Sequence, residues 1–201
     1  MLATLLLSGL LQGAPQTPPA ATPHPQTPQQ IEGRRSAFVQ GTLNVAVGER
    51  ATLRRNADGT YDLIAVDAIR VEDVLPPRDG SPAAELNGAA PGTLRFGLHG
   101  RQDVGSLLKV ENGQDTGLKY GGFVVRYLGG RARGPEATSV CTVPAGMTTF
   151  EHWPEPVIQI VVGGLEPSAD TVPTCPPHAA PPSPAEAPTN ETPPNPAPPS
   201  R

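Results

Sequence analysis

Through the middle of the chain, apolar and polar positions alternate over short runs. Between residues 38 and 47, Leu43, Val45 and Val47 alternate with Thr42, Asn44 and Ala46, a period of two that turns one face of a strand inward. Gly48 breaks the run. Residues 51–55 and 61–66 repeat the pattern on either side of Asn56-Ala57-Asp58-Gly59, and Asp-Gly between two alternating runs predicts a hairpin. Leu94, Phe96 and Leu98 then alternate with Thr93, Arg95, Gly97 and His99. Residues 107–111 and 118–128 follow, parted by Asn112-Gly113, and Gly121-Gly122 inside the second run predicts a bulge or a close backbone approach. Beyond it, Phe123, Val125 and Tyr127 are expected on one face and Val124, Arg126 and Leu128 on the other. Gly129-Gly130 and Gly134-Pro135 read as turns, residues 138–143 as a shorter strand, and residues 157–162 as the last, with Ile158, Ile160 and Val162 inward.

Two stretches do not follow this rule. Residues 67–74 fit a further strand or a short helix, and Pro76-Pro77 ends either one. Residues 75–91, rich in Pro, Gly, Ala and Asp, predict a long loop. It is either a hinge after an N-terminal β unit or a surface excursion of a single domain, and loops beyond about 12–15 residues are uncommon. Short strands, frequent turns and no run of helical period together predict an all-β protein, an antiparallel β-sandwich. The pattern Leu108-Lys109-Val110-Glu111-Asn112, a turn, then Leu118-Lys119-Tyr120 resembles adjacent strands of immunoglobulin-like sandwiches. The resemblance is one of architecture only, because no tryptophan sits at the spacing that packs against their inter-sheet disulfide. It implies a fold class and no family.

Proline usage sets the limits of the domain. Of the 27 prolines in 201 residues, most crowd into 15–28 and 167–199, where few large apolar residues exist to offset the entropy of ordering. The expected organisation is a signal peptide over 1–14, a Pro/Gln-rich linker over 15–30, a sandwich domain over 31–166 with a sub-boundary in 75–91, and a disordered Pro-rich tail over 167–201. The apolar run at 2–11 is too short to span a bilayer, which takes about 20 residues, but suits the apolar region of a leader. No Lys or Arg precedes it, and Ala14, Ala20 and Ala21 are all candidate cleavage positions. Secretion or a periplasmic location is the expectation, without stable membrane insertion.

The two cysteines, Cys141 and Cys175, follow no zinc or redox spacing. In an oxidising compartment they predict one intramolecular bridge, tying the start of the tail to the sandwich. A net charge of −4 with mixed signs argues against nucleic acid as a partner, which needs a basic surface. The expected partner is a protein or another envelope component.

Candidate chemistry is sparse. Phe150, Glu151, His152, Trp153 and Pro154 place the lone tryptophan beside an imidazole and a carboxylate, in a loop entering the last strand. That grouping could form a ligand platform; against it, a core poor in aromatics should bury its tryptophan and leave Glu151 and His152 in water. Arg126, Arg131 and Arg133, with Arg95 on a neighbouring strand, could pair an anion, or keep an edge strand soluble. His99, His152, Glu151 and Met147 lack ligand spacing, so neither a metal nor another cofactor is expected. No Gly-x-Ser-x-Gly elbow occurs, and Asn190-Glu191-Thr192 is a lone glycosylation sequon in the tail. The favoured function is a non-enzymatic, exported structural or interaction module; the alternative is a small exported ligand-binding protein or hydrolase with its site near residues 150–154.

Overall fold

The computed structural model describes residues 29–30, 33–77, 86–101 and 103–176. The expectations for the leader, most of the 15–30 linker, the tail beyond 176 and the sequon lie outside these residues. Among the described residues, two antiparallel sheets pack face to face as a β-sandwich. The first holds β1 (Gln29–Gln30), β2 (Ala37–Val39), β3 (Thr42–Ala46), β11 (Val157–Ser168), β8 (Gly117–Leu128) and β9 (Arg131–Thr138), in that spatial order. The second runs β10 (Thr148–Trp153), β7 (Gly105–Asn112), β6 (Thr93–Arg101), β4 (Glu49–Arg55), β5 (Tyr61–Ala68). Strand β4 is bonded to β5 on one side and β6 on the other, so chain from before and after 75–91 shares one sheet.

Alternation builds the core. Leu43 and Val45 of β3, Ile160 and Val162 of β11, and Leu118, Tyr120 and Val124 of β8 face Ala51 and Leu53 of β4, Leu94, Phe96 and Leu98 of β6, and Leu108 and Val110 of β7. Each fully buried Leu, Val, Ile or Phe side chain is worth roughly 1.5–3 kcal/mol. Phe96 and Tyr120 meet edge to face across the two sheets, ring centres 5.8 Å apart, a favoured aromatic geometry. The Asp58-Gly59 hairpin forms as expected, between β4 and β5.

Several expected elements are corrected. The run 38–47 is two strands, reversed at Gln40-Gly41. Residues 67–74 complete β5 and then make a single 3-10 turn, Val71–Asp73. A bulge between Val157 and Gln159 changes the phase of β11, so Val157 joins the core in place of Ile158. Gly134-Pro135 lies inside β9, joined by a cis peptide bond, and not in a turn. Residues 139–143 add only a bridge from Val143 to Leu118. Residues 148–153 form β10, paired with β7 from Thr148↔Glu111 to Trp153↔Ser106, and not a loop. At the ends, Gln29–Gln30 pairs with β2 and β11 extends to Ser168.

The predicted bridge is present. Cys141 and Cys175 are disulfide-bonded, with α-carbons 4.1 Å apart, and bonds between Thr142 and Thr174 lay the start of the tail against the sandwich. Inside the domain, polar groups are tied at two seams. Glu49, buried at the head of β4, accepts from the backbone and hydroxyl of Ser36, both at 2.8 Å, and from the backbone of Arg35 at 3.2 Å. Asn112 donates to the carbonyls of Thr116, Val143 and Pro144 and accepts from the backbone of Gln114, fixing the turn after β7.

Candidate functional site

Strand β7 reads Gly-Ser-Leu-Leu-Lys-Val-Glu-Asn. Leu108 and Val110 point into the core, so Leu107, Lys109 and Glu111 point to the outer face of the second sheet. Strand register sets their neighbours. One rung crosses all five strands as Phe150, Lys109, Gly97, Arg50 and Asp67. The next carries Thr148, Glu111, Arg95 and Thr52. A third places Leu107 between His152 and His99.

Chain leaving β5 covers part of this face. Ile69, Val74 and Leu107 form a second small core, with Leu75 and Val104 against it. Gly97 permits the cover, because a Cβ there would lie 3.2 Å from Ile69 and 3.3 Å from Val74. The uncovered part is a cleft of about 800 Å³. Arg50, Arg95, Lys109, Glu111 and Phe150 are among its lining residues, together with Leu75, Pro76, Pro77, Leu86, Asn87 and Gly88.

The charges on its floor are unevenly matched. Glu111, its side chain 3% exposed, lies 3.4 Å from Arg95 and 3.1 Å from Lys109. It also accepts from the Gly88 backbone at 2.8 Å. Any side chain at Gly88 would push into this group, since a Cβ would stand 2.6 Å from an Arg95 nitrogen. Arg50 is different. Among the described residues it meets only Asp67, at 3.4 Å, and its Nε is buried with no acceptor. Burial lowers the pKa of the Arg95 guanidinium from its ordinary value, Glu111 opposes the shift, and the positive charge of Arg50 adds to it.

The residues singled out in the sequence are dispersed. In β10, alternation turns Glu151 and Trp153 toward the core and His152 outward. Trp153 is buried and donates from its indole to the Thr138 hydroxyl at 2.8 Å, joining β10 to β9. Glu151 accepts from the Cys141 backbone at 2.7 Å. Burial first, and then the Glu151 charge, hold the Tyr120 phenol well above its ordinary pKa. Exposed His152 bonds the Val104 carbonyl. Arg126 on β8 pairs with Glu136 and Glu155, while Arg131 and Arg133 are exposed on β9. Arg95 belongs to the other sheet and does not join them, because register rather than nearness in sequence decides which strands adjoin. His99 and His152 flank Leu107, but Glu151 faces away from them. Among the described residues, no group of three or more His, Cys, Asp or Glu side chains is placed to hold a metal ion.

Fold and site together define the class: an all-β sandwich, closed by one disulfide, with a cleft of mixed charge on the outer face of one sheet. No protein-family model, curated protein or solved structure matches the chain.

Proposed function

We propose that the chain is an exported, non-enzymatic β-sandwich module of the cell envelope or periplasm that acts by binding. The observation that carries the export part is the Cys141–Cys175 bond, since disulfides persist in oxidising compartments. The apolar run at 2–11 supports the same reading as a leader. Binding is supported by the cleft on the second sheet, a concave surface where charged and apolar side chains converge. The test is fractionation of cells producing the full chain, with a thiol-blocking reagent added before and after reduction. Expected is protein outside the cytoplasm with both cysteines blocked only after reduction. Cytoplasmic protein with both thiols free contradicts the proposal.

A narrower reading, a small ligand-binding protein with its site near residues 150–154, has one specific support: Phe150 lines the cleft. Glu151 and Trp153 belong to the interior in this account. Alanine at either position should cost stability and leave ligand affinity alone, whereas alanine at Phe150 should lower affinity.

A further inference from the structure

The floor of the cleft holds one cation that its acids match poorly. Arg50, Arg95 and Lys109 stand on two adjacent rungs with Asp67 and Glu111. Glu111 divides its oxygens among Arg95, Lys109 and the Gly88 backbone. Asp67 reaches Arg50 with a single contact at 3.4 Å. With Arg101, Glu72 and Asp73, which also line the cleft, four cations stand against four carboxylates, so the mismatch is one of placement and not of total charge. Arg50 is the least matched, because its Nε is buried without an acceptor.

Position makes this mismatch usable. Arg50 pairs with Gly97 and Arg95 with Thr52, so the two arginines are diagonal neighbours on adjacent strands, within reach of one another's long side chains. Two guanidinium groups so placed suit the paired oxygens of an oxyanion. The lining also has an apolar part, Leu75, Pro76, Pro77 and Phe150. Glu72 and Asp73 also line it, and they would repel a second negative charge on a ligand. Its volume of about 800 Å³ falls within the range of small-molecule sites.

We infer that the cleft binds a small monocarboxylate, the carboxylate bridging Arg50 and Arg95 and an apolar body lying along Leu75, Pro76, Pro77 and Phe150. The inference rests on the reading of the chain as a binding module and names the chemistry of its ligand. A neutral molecule brings no charge to the two guanidinium groups. A dianion brings its second charge against Glu72 and Asp73.

The test is a calorimetric titration of the oxidised full chain with hexanoate, compared with hexanamide, succinate and inorganic phosphate. Hexanoate should bind saturably and hexanamide should not, with succinate and phosphate weaker than hexanoate. Arg50→Met keeps the aliphatic stem and removes the charge; it should weaken hexanoate by about tenfold or more, as loss of a charge-assisted bond does. Lys109→Met should weaken it in the same direction, providing a second variant should the first fold poorly. Arg131→Met, on exposed β9 of the other sheet, should change nothing. Equal binding of hexanamide and hexanoate, tighter binding of phosphate or succinate, or hexanoate binding indifferent to both cleft variants overturns the inference. If no carboxylate binds but Arg50→Met abolishes chemical cross-links to an envelope component, the ligand class is wrong and the binding module stands. If no carboxylate binds and the cross-links are unaffected, the inference and this use of the cleft both fall.

Discussion

Glu49 and Arg50 are consecutive residues of β4, both charged and both largely out of water, and they face opposite sides of one sheet. Glu49 points between the sheets and is saturated. The Ser36 backbone and hydroxyl and the Arg35 backbone donate to it, and the Arg35 guanidinium lies 3.7 Å away. Arg50 points to the outer face, where a single contact to Asp67 leaves its Nε without an acceptor. A buried charge with every partner in place holds structure together. One with partners missing reduces stability and leaves capacity for a ligand. The contrast separates the part of this sandwich that holds it together from the part proposed to bind.

The disulfide gives the scale for the holding part. Replacing Cys141 and Cys175 together by serine opens a loop of sequence separation 34. In the chain-entropy estimate this should cost about 3–4 kcal/mol in urea unfolding. A loss under ~1 kcal/mol would mean that the unfolded chain is already restricted near the bridge. Glu49→Ala comes next. It strands the donors of Ser36 and Arg35 and should cost about 2–3 kcal/mol by the same measurement, with hexanoate binding unchanged.

Acid titration sharpens the contrast further. Burial pulls the Glu49 pKa upward, but bonds from the Ser36 hydroxyl, the Ser36 and Arg35 backbones and the Arg35 charge outweigh it, leaving the net shift downward. A carboxylate whose folded pKa lies below its unfolded value contributes fully above the unfolded value, about 4.3 for Glu. The contribution disappears as pH falls through the lower folded value. Glu49→Gln should therefore flatten the acid side of the stability profile, and an unchanged slope would show that the clamp does not depend on ionisation. The smallest expected effect on stability is that of Arg50→Met, within about 0.5 kcal/mol of the parent, since the stem over Gly97 is kept and an unmatched charge is removed.

Much of the sandwich was legible because alternation reports a half-buried strand directly. Leu94, Phe96 and Leu98, and the Asp58-Gly59 reversal, lie where the pattern put them. Strand β9 was not legible. Its sequence, Arg-Ala-Arg-Gly-Pro-Glu-Ala-Thr, is exposed nearly throughout, and it is a strand because β8 offers it a hydrogen-bonding edge. Leu107 next to Leu108 breaks strict alternation for another reason: Ile69 and Val74 bury the outer face locally. The tryptophan loop misled because unusual composition drew the eye, whereas in a strand Glu151 and His152 must face opposite ways. The cleft was visible only in pieces. Arg95 alone read as an outward polar position, and its meeting with Arg50, Lys109 and Glu111 depends on the pairing of β4, β6 and β7, a long-range fact that local periodicity does not carry.

The most direct test of the contrast is urea unfolding of Glu49→Gln and Arg50→Met, side by side with the parent at neutral pH. Glu49→Gln should lose about 1–3 kcal/mol while Arg50→Met should lose essentially none. An Arg50→Met loss as large as that of Glu49→Gln would make Arg50 a structural residue, and would contradict the assignment of the outer face to binding.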